Sequence, residues 1–331
     1  SSYLKGGEGM SLKVKLAGQE AKRTESASKS RRQLKKRITE RYDLYIMLLF
    51  PMIWYVIFMY GPMYGLQIAF KDYLPTNGFW GSRWVGLEHF KRFFFSYYFW
   101  RLIKNTVVIQ LYSLLFNFPI PIFLALLVNE IRNEKFKKAL QNITYIPHFI
   151  SVVVIVGMLN LFLDPKSGIV NHALSYLGMK SIPFMQKPEW FRPLYIGSNI
   201  WANMGWQSII YIAALSGVDP QLYEAATVDG ASRLQKVIHI SIPAIIPTIV
   251  ILLILDIGGF MSIGFEKILL MQNDLTMSTS DVISTFNYRK GILGGDYSYT
   301  TAIGLFNSVI NFILLITVNQ IGKKKAEISL W

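Results

Sequence analysis

The chain has 331 residues, 52% of them hydrophobic and 16% charged, with a mean hydropathy of +0.33 and a formal net charge of +14. Soluble globular domains carry roughly 25% charged residues, so this balance points to a membrane and excludes an intrinsically disordered chain. Cysteine is absent, which removes thiol nucleophiles, iron–sulfur clusters, Cys-based zinc sites and any disulfide framework.

In chain order, Ser1–Asp43 is a polar tail with 12 Lys/Arg and no apolar core of the kind a signal peptide needs. Six apolar windows long enough to cross a bilayer follow, at Leu44–Phe70, Ile103–Asn129, Ile143–Leu163, Leu194–Leu215, Pro243–Phe265 and Thr301–Ile321. Lipid offers no hydrogen-bond partner to an open backbone, so these read as helices. The expected fold is an all-α polytopic bundle of six spans over residues 44–321, between the tail at 1–43 and a short basic tail at 322–331. Aromatic residues near span ends, such as Trp54, Trp84, Trp100 and Trp190, fit an interfacial belt. Of 34 Lys/Arg, 21 fall on the side of the termini. The bias places both termini in the cytoplasm, and most of the positive charge reads as topology rather than as a nucleic-acid surface.

Several spans carry polar groups, which are expensive in lipid and turn toward a cavity or another helix. The second has Gln110 and Asn117. The fourth has Asn199, Asn203, Trp206 and Gln207 on one helical face, with Tyr211 beyond them. The fifth has Asp256, and the sixth has Asn307 and Asn311. Amides and aromatic rings of this kind suit a translocation pathway for a polar solute, since amides donate and accept hydrogen bonds and rings can stack on a ring-shaped solute. Interhelical hydrogen bonding is the competing reading for each of them.

The loop between the fourth and fifth spans, residues 217–242, has structure of its own. Asp219 caps a helix and Pro220 suits its first position. Asp229–Gly230 breaks that helix, and Ser232 with Gln235 opens a second through a capping box, which Pro243 is expected to end. A plain connection needs neither helix, so the loop reads as a partner surface. Its sequence resembles the EAA loop of membrane subunits of binding-protein-dependent ABC importers. Glu224-Ala225-Ala226 is followed by three residues and Gly230, and nine more lead to Ile240-Ser241-Ile242-Pro243, with Ile242 where the family pattern has Leu.

The resemblance implies a type I ABC importer permease fold in the inner membrane. It also implies that Glu224, Ala225, Ala226, Asp229, Gly230, Ile240 and Pro243 couple this subunit to separate ATPase subunits, which carry ATP and Mg. The other implied partners are a homologous second permease, an extracytoplasmic solute-binding protein and membrane lipid. The stretches Gly61–Tyr73, Trp84–Phe90 and Tyr145–Met158 are similar to permeases for complex carbohydrates and polysaccharides, an alginate-type importer subunit being one candidate. Importers of other solutes such as peptides, and an ion-coupled secondary transporter, are the alternatives.

No phosphate-binding loop is present, because the glycines at Gly61–Gly65 and Gly291–Gly295 lack the following Lys-Ser/Thr. The four histidines, His89, His148, His172 and His239, are scattered and form no zinc-ligand pair, and no nucleophile elbow occurs. The expected chain is a transport subunit with no enzymatic site and no metal.

Overall fold

The computed structural model describes residues 41–330. The basic tail expected over residues 1–43 therefore lies outside the described residues, save its last three. The chain divides into two compact units, residues 1–65 and 66–331.

In the first unit, helix α1 (Tyr42–Tyr55) runs through a π turn (Val56–Tyr60) into the short helix Gly61–Met63. Every large side chain of α1 is exposed and apolar residues surround it, from Leu44 and Phe50 to Trp54. A helix that is apolar all round is one whose solvent is lipid.

The second unit opens with a two-stranded antiparallel hairpin, β1 (Lys71–Asp72) on β2 (Arg83–Trp84), and helix α2 (Glu88–Phe94). Helix α3 (Phe99–Tyr112) passes through a π turn at Ser113–Asn117 into α4 (Pro119–Asn129). Helix α5 (Glu134–Tyr145) is capped by Asn133, whose side chain accepts from two backbone amides, and α6 (Val152–Phe162) is capped by Ser151. Helix α7 (Pro188–Ser216), 29 residues long, packs along α4, α5 and α10 (Ile242–Gly258). Between α7 and α10 lie α8 (Pro220–Val228) and α9 (Arg233–Lys236). The chain closes with α11 (Phe265–Met271), α12 (Met277–Ser280), α13 (Ile283–Asn287) and α14 (Tyr297–Ala326), the last packed on α10 and α2. Three apolar cores hold this unit together. Ile109, Phe191, Ile196 and Ile268 form one; Phe93, Leu102, Phe286 and Ile303 a second; Ala125, Tyr211, Leu215 and Ile245 the third.

Among the described residues, four helical stretches are long and apolar enough to cross a bilayer: Tyr42–Phe70, Phe99–Asn129, Arg233–Gly258 and Tyr297–Lys325. They coincide closely with the first, second and sixth expected spans; the fifth differs in extent. The expected straight span Ile143–Leu163 is instead a corner, with Glu134–Phe149 and Val152–Phe162 meeting at 98°. Pro147 and the Ser151 cap explain it, since one ends a regular helix and the other starts a new one. Pro243 does not end the helix before it. A π turn at Val237–Ser241 carries the chain from α9 into α10, giving one 26-residue helix, Arg233–Gly258. Widening the turn moves the carbonyl that the proline ring would strike. The same helix stops at Gly258, short of the expected Phe265. Helix α7 covers the expected fourth span but is too polar to count among the four apolar stretches.

Candidate solute pathway and coupling loop

Polar residues from several helices of the second unit converge on one cavity of about 710 Å³, a volume in the range of sites that enclose small organic ligands. Gln110 from α3, Ser113 and Asn117 from the adjoining π turn, Asn199, Asn203, Gln207 and Tyr211 from α7, and Asp256 from α10 all line it. The α10–α11 connection adds Ser262, and the first turn of α11 adds Glu266 and Lys267.

The polar stripe of α7 thus splits. Asn199 accepts from Lys267 Nζ at 2.6 Å through its side-chain oxygen. Asn203 donates to the Asn199 carbonyl at 3.1 Å, and its own Oδ1 lies 3.1 Å from His148 Nδ1, which donates to it. Gln207 and Asp256 are exposed to the cavity and make no hydrogen bond or ion pair among the described residues, so they remain available to a solute. Trp206 is not part of the lining. Its ring stacks on His148 with centroids 4.6 Å apart and planes within 5°, and Phe149 meets it edge-on. It fastens α7 to the corner between α5 and α6. Asn307 and Asn311 also stand away from the cavity. Asn311 accepts from the Met261 amide at 2.8 Å and donates to Ser262 Oγ at 3.0 Å, and Asn307 is half-buried in α14.

Lys267 was not legible as a site residue in the sequence. It follows directly after the apolar run of the fifth span, and a charged pair, Glu266-Lys267, at that place is the signal that marks it. It is 7% exposed, and its ammonium lies 5.4 Å from the centre of the Tyr195 ring. Burial without a carboxylate partner pushes its pKa down to about 8.

The loop between α7 and α10 has the local geometry its residues dictate. The Asp219 side chain accepts from the Gln221 amide at 2.9 Å and Pro220 takes the first helical position of α8. Gly230 closes α8 at φ 77°, a conformation that costs other residues energy. The Ala231 amide bonds the Ala226 carbonyl at 2.8 Å and the Gly230 amide bonds that of Thr227 at 3.1 Å, a Schellman closure. Ser232 and Gln235 form the expected capping box at the start of α9. Two contacts missed in the sequence brace the loop: Tyr223 Oη with the buried Ser241 Oγ at 3.0 Å fixes α8 on the π turn before α10, and Lys236 Nζ donating to Thr227 Oγ1 at 2.6 Å joins α9 to α8. Glu224, Ala225, Asp229 and Gly230 are left exposed, as are Leu222, Val228 and Leu234, while Ala226 and Ile240 are half-buried and Pro243 lies on the exposed side of α10.

A helical membrane protein with a polar cavity between its spans and a rigid, exposed two-helix loop is a permease built to work with another protein. Residues 117–326 match the family model described as binding-protein-dependent transport system inner membrane component, and the chain belongs to that family. It is 44% identical to Protein LplB of Bacillus subtilis (strain 168) over 281 residues, covering 85% of this chain and 88% of the relative. It is 45% identical to the polygalacturonan/rhamnogalacturonan transport system permease protein YteP of the same organism, covering 90% and 93% of the two chains. Among solved structures it superposes, with a TM-score of 0.83 and 44% identity, on a chain of a bacterial alginate ABC transporter in complex with an alginate pentasaccharide-bound periplasmic protein. That match covers 89% of this chain and 99% of the other. The chain is a transport component of the inner membrane, not an enzyme.

Proposed function

We propose that the chain is one of two permease subunits of an ATP-driven importer that carries an oligosaccharide or polysaccharide across the inner membrane. The single observation that carries this reading is the cavity, with amides from α3, the π turn before α4 and α7 converging where Gln207 has no hydrogen-bond partner among the described residues. Amide and carboxylate groups facing one space can exchange hydrogen bonds with sugar hydroxyls one for one. Relatives at 44–45% identity include a polygalacturonan/rhamnogalacturonan permease, and an alginate transporter supplies the matching structure, both saccharide systems.

In this reading the chain crosses the membrane six times: the four apolar helices, supported by their length and composition, the bent pair α5–α6 as one crossing and α7 as another. Both termini then face the cytoplasm, as does the 217–242 loop. That loop docks on a separate ATPase subunit through Glu224, Ala225 and the exposed apolar residues around them, while Gly230 holds the bend. ATP and Mg act on that partner. A solute-binding protein loads the opposite mouth. Transport follows from two global states, each favoured by a different set of ligands, with the loop passing the bias from the ATPase to the bundle.

The natural absence of cysteine gives a clean test. A Gln207→Cys variant in the assembled importer should react with a small maleimide in the solute-free state. The saccharide delivered by the cognate binding protein should slow that reaction several-fold. Equal rates with and without solute would remove the cavity from the pathway.

A further inference from the structure

Three charged side chains line the cavity, and they are not equivalent. Asp256 and Glu266 are exposed within it, whereas Lys267 is 7% exposed and makes no ion pair among the described residues. One neutral acceptor, Asn199 Oδ1, and the face of Tyr195 are its partners. An ammonium has three donors, so two hydrogens of Nζ are left without an oxygen. Holding an unpaired charge out of water is costly. No ligand-free packing role requires it, because Gln at this position would keep the bond to Asn199 without the charge. An anion entering the cavity would offset that cost.

We propose that Lys267 is the group that reads the charge of the solute, binding the carboxylate of a uronic-acid unit, so that the imported saccharide is an acidic one. This rests on the saccharide-importer reading. Asp256 and Glu266 are the two exposed acids of the site. Exposed in the same cavity, they accept hydrogen bonds from sugar hydroxyls, while the carboxylate of a uronate pairs with Lys267. The Asn199 amide holds Nζ at the wall and Tyr195 backs it, which fixes the position of the charge. The neutral cavity amides, Gln110, Asn203 and Gln207, are indifferent to solute charge and serve any sugar.

The complete importer, with its partner permease, ATPase subunits and binding protein, is reconstituted in proteoliposomes. Uptake is compared for oligouronates of mannuronate, guluronate and galacturonate and for the same oligomers with their carboxyls reduced to alcohols. Binding protein is identical for every permease variant, so a change in selectivity between variants belongs to the permease. Lys267→Gln should lower the ratio of acidic to neutral uptake by about tenfold or more, the scale expected when one member of a desolvated charge pair is lost. Lys267→Arg should restore most of it. In the wild type, acidic uptake should fall as pH rises through about 8, where burial has brought the Lys267 ammonium, and the Arg variant should lose that dependence. Tyr195, Tyr211, Asp256 and Glu266 are the other titratable groups at the cavity, and none is altered in either variant. Equal loss of acidic and neutral uptake in Lys267→Gln would overturn the proposal and make Lys267 a structural or gating residue. A wild type that imports only the reduced, neutral oligomers would overturn it as well. A wild type that imports neither class would instead reject the saccharide reading beneath it.

Discussion

At the scale of single residues, the buried charges separate by how they are satisfied. Asp281 has a fully buried side chain, yet it is held by Arg101 Nη2 at 3.0 Å and Arg289 Nη2 at 2.8 Å. Asn105 donates to its carbonyl at 3.0 Å and accepts from Arg192 Nη2 at 2.9 Å. The carboxylate thereby ties α3 to α13 and the turn that follows it, and Asn105 joins α7 to the same cluster through the Asp281 backbone carbonyl. Removing it in Asp281→Ala leaves two guanidinium groups facing each other around an empty site. The expected loss is on the order of 3–5 kcal/mol, less whatever water recovers at the partly exposed arginines. Thermal unfolding of the detergent-solubilised importer should show a clear drop in Tm; an unchanged Tm would mean that the cluster adds nothing to stability. Nothing in the sequence announced this cluster, because Arg101 and Asp281 are 180 positions apart and each alone reads as a loop charge. The α7 stripe was more legible. Its spacing put Asn199, Asn203 and Gln207 on one face, and the cavity confirms that shared orientation. The same spacing included Trp206, which a rotation of about 100° per residue carries off the cavity toward His148.

Elements show where local signals suffice and where they fail. The caps of α8 and α9 were readable because a cap is a bond between residues two or three apart. The corner at residues 146–151 was not, because hydropathy reports how apolar a run is and carries no direction. Pro147 and Ser151 were the marks of the corner inside an otherwise unbroken apolar window. Pro243 misled in the opposite sense, since a π turn absorbs a proline that an ideal helix would not. Two predictions belong here. A Cβ added at Gly205 would penetrate the Thr144 carbonyl, which is backbone and cannot swing aside. Gly205→Val should therefore push α5 from α7, with a loss of a few kcal/mol typical of overpacking, read as lower yield and lower Tm of the purified complex. Normal Tm would show that the two helices tolerate separation. In the loop, Glu224→Lys should place a positive charge at the proposed docking face without touching the cavity. Mispaired charge across an interface costs several kcal/mol, which at 1.4 kcal/mol per decade is more than a hundredfold in affinity. Bound ATPase subunit per permease, quantified after purification, should fall sharply. Wild-type stoichiometry would disconnect the loop from the ATPase.

For the molecule as a whole, the class of protein was legible in one loop, since residue types at fixed offsets around Glu224 and Gly230 resemble those of the permease family to which the chain belongs. What the sequence hid was the chemistry of the cavity. The expected fifth span ended at Phe265, one residue before the Glu266-Lys267 pair, whereas the helix stops at Gly258 and the chain turns back to line the cavity. A window of apolar residues cannot distinguish a helix that continues from a chain that folds back. The central claim is that the energy for transport enters from a separate ATPase through the 217–242 loop while the solute passes the cavity. The most direct measurement is saccharide uptake into proteoliposomes holding the complete importer, with ATP inside, binding protein outside, and ion gradients collapsed by ionophores. Uptake should require both ATP and binding protein, persist without any ion gradient, and be abolished by Glu224→Lys. Uptake that continues without ATP and disappears with the ion gradient would contradict it.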